Sequence, residues 1–455
     1  MTGNEGDEPA QRSELLQEAL EDIDSPRMGE LLASAHPAEI ADLLEAIPRD
    51  ERLPIWRRLE DIQRGEILLE THGEVRRNLI QESDEGQLLV ALEALEADEL
   101  ADLDADLPRP VIERMIARMD ADRWRQYESV RHYPDDTAGG LMDVDAASVR
   151  ADVTIKTVLR FLRQLRAREG GLPEHLDSLM VVDRDNRYVG ILKLSDVASL
   201  ETGVRVHDAM VTEVPAIHVL TPAAKVARQF EDKDLISAAV VDEHGVLVGR
   251  ITIDDVVDVM RSESERELMS RVGLSEATDM FAPLPTSVRR RSPWLGLNLM
   301  NAFIAAWVIG LFEDSIQQVV ALAVIMPVVA SMGGVAGNQT LTLVTRGIAL
   351  NQLGPGNAGR LFVREFSLGL VNGLFWALVV GVVAVLWFDN VRLALVFGAA
   401  LLLNLLVGST VGTLVPLALD RIGIDPALAG GVVLTATTDV LGFLIFLGLA
   451  SYVLL

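Results

Sequence analysis

Between Pro426 and Leu455 the chain is largely apolar and carries one charged residue, Asp439. A charged side chain near the middle of a bilayer-spanning helix costs roughly 2.5–3.5 kcal/mol on insertion scales and rarely survives facing lipid. Asp439 is therefore expected to face a pore, a cavity or a partner helix. At 3.6 residues per turn, Gly431, Thr435, Thr438, Asp439 and Gly442 share one stripe, while Val433, Leu434, Val440, Leu441, Leu444 and Ile445 point elsewhere. Hydroxyls beside a carboxylate suit a hard, hydrated cation. Small residues also serve helix packing, and Gly431 and Gly442 read on their own as packing positions. If the stripe lines a path, its lining is Gly431, Thr435 and Thr438, joined by Asn338 from an earlier apolar segment.

A second concentration of carboxylates precedes the apolar block, in the run from Asp254 to Glu267. Asp255 and Asp258 are one helical turn apart, as are Glu263 and Glu267, and like charges at that spacing repel unless a cation sits between them. A solvated helix partly neutralised by Arg261 and Arg266 is the plainer reading. Cysteine is absent and the seven histidines are scattered, which excludes thiolate metal sites and argues against zinc. No Gly-x-x-x-x-Gly-Lys-Ser/Thr loop and no Asp-Lys-Thr-Gly motif occurs, so an ATP-driven pump has no engine, and no enzymatic activity is expected.

The elements that carry these clusters follow from composition, which splits near Arg291. Residues 293–455 contain seven acidic residues, five Arg and no Lys; the other 60 acidic and 35 basic residues give positions 1–292 a net charge of −25. Such a field attracts divalent cations and repels nucleic acid, although a halophile's solvated surface gives the same total. Five apolar segments, 293–312, 319–346, 361–388, 391–418 and 427–454, each meet the roughly 20 helical residues that a hydrocarbon core demands. Arg289, Arg290, Arg291, Arg346, Arg360, Arg364 and Arg421 fall on one side, against Arg392, Glu313, Asp314 and Asp389 on the other. That asymmetry predicts a multi-pass cell-membrane protein with a cytoplasmic N-terminus and an external C-terminus. Pro327, Gly333, Gly334 and Gly337 are expected to break the second span, ahead of Asn338, Gln339, Thr340, Thr342 and Thr345. Asn301, Asn372 and Asn404 add amides to three other spans. With Asp439 as the one candidate intramembrane carboxylate, a dication would be matched by a symmetric dimer supplying a second.

Upstream, residues 11–135 read as short helices with apolar stripes such as Ile40, Leu43, Leu44 and Ile47, punctuated by Pro37, Pro48, Pro54, Pro108 and Pro110. A small cytoplasmic α-solenoid is expected, its acids a solvated face. Residues 138–260 hold a repeat: Val181-Val182-Asp183, Val189-Gly190 and Asp196-Val197 recur as Val240-Val241-Asp242, Val248-Gly249 and Asp255-Val256. This resembles a tandem pair of cystathionine-β-synthase (CBS) domains, 138–203 and 204–260, of α/β fold. The resemblance implies a site for an adenine nucleotide such as ATP on Gly249, Thr252 and Asp255. In the first copy Lys193 stands at the hydroxyl position.

Tyr133-Pro134-Asp135-Asp136-Thr137-Ala138-Gly139-Gly140-Leu141-Met142, the CBS repeat, Gly333-Gly334 with Gly337-Asn338-Gln339, and Asp425-Pro426-Ala427 leading to Thr438-Asp439 together resemble the MgtE family of magnesium channels. The order of parts matches along essentially the whole chain. The resemblance implies a homodimer in which Asp439 and its twin receive hydrated Mg²⁺ in a five-helix transmembrane domain, 293–455. It further implies that a connecting helix and linker, 256–290, plugs the pore when cytoplasmic Mg²⁺ is high, with Asp255, Asp258, Glu263 and Glu267 at sensor positions. Gly431, Thr435 and Arg266 depart from the family's residues. A passive Mg²⁺-gated channel is the leading expectation; an ion-coupled exchanger, or a membrane-anchored nucleotide or cation sensor without transport, are the alternatives.

Overall fold

The computed structural model describes residues 25–455 apart from 170, 171, 173–175, 271, 276, 277, 351 and 355. The part of the solenoid expected over residues 11–24 lies outside the described residues. The chain forms two compact units, Met1–Glu265 with Glu276–Ala282, and Arg266–Ser275 with Pro283–Leu455.

In the first unit, nine short helices are described between Pro26 and Val130: α1 (Pro26–Ser34), α2 (Pro37–Glu45), α3 (Arg49–Trp56), α4 (Asp61–Glu70), α5 (Gly73–Glu82), α6 (Glu85–Glu93), α7 (Ala97–Asp104), α8 (Arg109–Arg118) and α9 (Ala121–Val130). Prolines start several of them, where a missing N–H costs nothing. Alternate helices stack, α2 on α4, α4 on α6 and α6 on α8, as a solenoid does. Ile40, Leu44, Ile67, Leu88, Leu92 and Val111 supply its continuous core. The buried Arg52 of α3 makes a bidentate pair with Asp279, at 2.6 and 2.8 Å, both side chains 1 % exposed. Arg52 Nε also donates to Leu44 O, so the short segment around Asp279 is stapled onto the solenoid.

The repeat folds as two three-stranded sheets of one topology. Strands β1 (Ser148–Arg150) and β2 (Ser178–Val182) are parallel and β2 and β3 (Tyr188–Lys193) antiparallel; β4 (Ile217–His218), β5 (Ser237–Val241) and β6 (Leu247–Thr252) repeat the pattern. Register shifts follow Val181 in one and Val240 in the other. Asn186 and Gly245 take the left-handed conformation in equivalent hairpin turns, at φ 58° and 77°. The hydroxyls of Ser178 and Ser237, 59 residues apart, meet at 3.1 Å where the copies face each other. The stretch at 137–143 crosses over: Ala138 N–H donates to Thr221 O, and Asp143 and Arg250 exchange backbone bonds. Ala138 and Met142 thereby join the core of the second copy. The repeat also holds α10 (Ala138–Leu141), α11 (Ile155–Glu169), α12 (Leu194–Ser199), α13 (Val206–Ala209) and α14 (Ala223–Lys233), and after β6 the chain enters α15 (Ile253–Ser270).

The second unit holds α16 (Leu284–Gly310), α17 (Glu313–Gln318), α18 (Ala321–Ala349), α19 (Ala358–Phe388), α20 (Val391–Arg421) and α21 (Pro426–Leu454). All but α17 are long and apolar enough to cross a membrane. Helix α20 is the most enclosed, packing on α18, α19 and α21. The expected break in the second span is corrected: α18 is helical throughout, with Pro327 inside it. Its glycines serve contact instead. A Cβ on Gly408 or Gly412 would lie 2.5 Å from the carbonyl oxygen of Gly333 or Gly337, so the two backbones touch along a small-residue seam.

Removing one member of a buried ion pair leaves an uncompensated charge, at a cost of about 3–5 kcal/mol. Asp279→Ala is expected to lower the unfolding free energy of the solenoid by that amount, read from urea unfolding and from hydrogen exchange of α2 and α3. Arg52→Met with Asp279→Leu is expected to recover most of it.

Candidate functional site

In the membrane unit a pocket of about 390 Å³ opens along α18 and the start of α21, lined by Asn338, Leu341, Thr342 and Thr345 on one side and Pro426, Gly431 and Thr435 on the other. Val272, Trp294 and Asn298 complete it. Thr345 is 8 % exposed, and its hydroxyl has no hydrogen-bond partner among the described residues. The structure thus brings together Asn338, Gly431 and Thr435. Asp439 follows Thr435 by one turn on the same face of α21, half-buried. No arginine pairs with it among the described residues, and the nearest helical turns offer hydroxyls and glycine rather than cations. Such a wall presents oxygen to a hydrated dication without neutralising its own carboxylate.

Thr438, expected on that lining, is instead fully buried. Its hydroxyl donates back to Leu434 O at 3.0 Å and it faces Gly334 of α18, so it is a packing residue. The expectation of one intramembrane carboxylate is also corrected. Glu365 of α19 is 6 % exposed and accepts a 3.1 Å bond from the Thr340 hydroxyl of α18. It lies near the start of the third span, beside Arg360 and Arg364.

The first unit gathers acids from four segments. Glu96 and Asp98 at α7 and Asp143 of the crossover place carboxylate oxygens within 4.8 Å of one another. Asp98 Oδ1 is buried and has no hydrogen-bond partner among the described residues, while Asp143 also pairs with Arg250 at 2.9 Å. Burial, and then the Asp143 charge, push the Asp98 carboxyl up to about 7. Asp102, one turn on and still reached by solvent, is pushed up to about 7 by desolvation and then by Asp135, with Asp255 adding to it. Desolvation raises Asp255 itself to about 6, against the Thr252 N–H and hydroxyl that donate to its Oδ2 at 2.9 and 3.0 Å. The acids of α7 are therefore not a plain solvated face. They were missed because helical periodicity separates polar from apolar faces but does not say what a polar face meets.

Asp258 lies near enough to Glu70 of α4 to raise it, after desolvation. His72 donates from its backbone N–H to Glu45 at 2.7 Å, and that carboxylate raises the imidazole. Glu263 is half-buried and Glu267 exposed on α15. At the expected nucleotide positions, Thr252 and Asp255 hold each other, and a Cβ on Gly249 would lie 2.8 Å from Asp143 O. The hard, oxygen-only donors with an orphaned buried oxygen fit a divalent cation.

Comparison with known proteins agrees with this layout. A family model described as "Divalent cation transporter" (MgtE) matches residues 326–449, one described as "MgtE intracellular N domain" matches 35–136, and the CBS domain model matches 138–202 and 206–262. The chain is 30 % identical to the magnesium transporter MgtE of Thermus thermophilus over 96 % of this chain and 98 % of that protein. It is 28 % identical to the Bacillus subtilis magnesium transporter MgtE over 91 % of each. A solved cytosolic domain of the Mg²⁺ channel MgtE in complex with ATP is 32 % identical, covering 54 % of this chain and 99 % of that one, with a TM-score of 0.48.

The raised carboxyls fix a pH dependence. Each is protonated more readily in the folded unit than in an unfolded chain, so without divalent ions their contribution to stability is complete below about pH 4 and is lost as pH rises through about 6 to 7. A dication needs the ionised form. Its apparent affinity for the first unit is expected to rise about tenfold per displaced proton between pH 6 and 8, measured as the Mg²⁺ midpoint for protease protection.

Proposed function

The chain belongs to the MgtE family of magnesium transporters, and from that premise we propose that it is a passive Mg²⁺ channel which cytoplasmic Mg²⁺ closes. The observation that carries the pore half is Asp439, half-buried and paired with no protein cation among the described residues, one turn from the polar pocket of Asn338, Gly431 and Thr435. Mg²⁺ sheds water reluctantly, so oxygens at this spacing recognise its hydration shell rather than the bare ion. A second copy of the chain supplies a second carboxylate, and two match a dication where one does not. The arginine asymmetry of the loops orients the N-terminus to the cytoplasm.

The carboxylates of Glu96, Asp98, Asp102, Asp143, Asp255 and Asp258 form the closing device. They sit on segments that repel while empty, within a screening length of about 8 Å. Ions bridging them favour the compact arrangement by mass action, and several weak sites together make closure steep. Helix α15 carries Asp255 near Asp102 and Asp258 near Glu70 of α4, and it precedes the first span in sequence, so it is the part whose position the ions set.

Asp439→Asn is expected to lower Mg²⁺ uptake by at least about tenfold at equal membrane abundance, the loss of one charge-assisted contact. Asp98→Asn with Asp102→Asn is expected to leave maximal uptake intact and raise the cytoplasmic Mg²⁺ needed for closure. Currents from reconstituted protein without a coupled-ion gradient support the channel; unchanged uptake by Asp439→Asn overturns the pore assignment.

A further inference from the structure

Asn404 of α20 is fully buried among helices that should prefer apolar contact. Its Nδ2 donates to Val329 O of α18 at 2.7 Å, while its Oδ1 is buried with no hydrogen-bond partner among the described residues. Two glycines lie flat against the amide. A Cβ on Gly333 of α18 would stand 2.8 Å from Oδ1, and a Cβ on Gly442 of α21 would stand 2.8 Å from Nδ2 and 3.0 Å from Oδ1. Along α20, Asn404, Gly408 and Gly412 succeed one another by single turns. The last two let the backbone of α18 in to contact, and at Asn404 the seam is held apart by one amide.

We infer that Asn404 is a positioning residue whose amide sets the rotation of α21 and thereby the presentation of Asp439. Thr438 and Gly442 form the face of α21 pressed against α18 and α20, and Asp439 sits between them in sequence, turned off that face. Thickness at position 404 fixes how close Gly442 comes. The bond to Val329 O fixes where the amide stands along α18. The inference rests on the proposed role of Asp439 in the ion path.

The chain contains no cysteine, so Asp439→Cys introduces a single thiol whose rate of reaction with a small, cationic methanethiosulfonate reports its access to water. Full-length protein in detergent with EDTA is the sample, and elution as one symmetric peak is the criterion for folding. Asn404→Ala and, separately, Gly442→Ala are each expected to slow the reaction at position 439 at least tenfold. The double change Asn404→Ala with Gly442→Ala, in which the new methyl fills the vacated space, is expected to return the rate to within threefold of that with Asp439→Cys alone. A rate within twofold of the parent in either folded single variant overturns the inference. So does a double variant that stays slow or unfolded; if the single variants do not fold, the double variant alone decides. The rate is read without transport, so this outcome is separate from whether Asp439 carries Mg²⁺.

Discussion

A carboxylate drawn out of bulk water must regain favourable charge interactions from somewhere, and the protein meets that demand in two distinct ways. Where the role is architectural, an arginine supplies the charge at fixed geometry: Arg52 for Asp279 and Arg76 for Asp106. Where it is not, the carboxylate is left incompletely matched. Asp98 has an oxygen with no partner among the described residues, Asp102 and Asp255 crowd other acids, and Asp439 has hydroxyls and glycines for neighbours. In the proposed function, the vacancies in the charge pattern, more than the charges, mark where a mobile cation belongs.

Holding such a group in a membrane unit without an arginine places the burden on packing. Helix α20 carries it, since it touches each of the three helices around it and has glycine where α18 approaches most closely. The polar residues of α18 divide accordingly. Thr340 turns inward to Glu365, while Asn338 and Thr342 turn to the open pocket. One unbroken helix thus serves as both wall and buttress, which a helix broken at Pro327 and the glycines would do less rigidly.

Asp439 was legible because one charge among thirty apolar positions is conspicuous, and the repeat was legible because strand period, hairpin turns and the offset of 59 residues recur together. Membership of the MgtE family and the five spans could be read from ordered motifs and segment length. Rotation about each helix axis could not. Thr438 and Thr435 are three residues apart on one stripe, yet one is buried and one exposed, because the stripe is wider than the pocket. The three spans carrying Asn301, Asn372 and Asn404 look alike in sequence, and only tertiary contact makes the last of them the wedge. Asp98 and Asp102 were hidden for a related reason: their α7 is an ordinary amphipathic helix, and its acids become special only where the crossover and α15 bring Asp143 and Asp255 against them.

The same acids bind protons and, in the proposed sensing role, Mg²⁺, but the two ligands do different work. A proton neutralises one carboxylate and leaves its neighbour's segment unattached, whereas a dication joins carboxylates from α7, the crossover and α15 into one assembly. Protonation can therefore relieve repulsion without producing closure. In that role, burial and the Asp143 charge, which push the Asp98 carboxyl up to about 7, would let the proton compete with the dication near neutral pH. A set of ordinary surface carboxylates, ionised throughout that range, would sense Mg²⁺ without regard to pH; partial desolvation is what ties the set point to both.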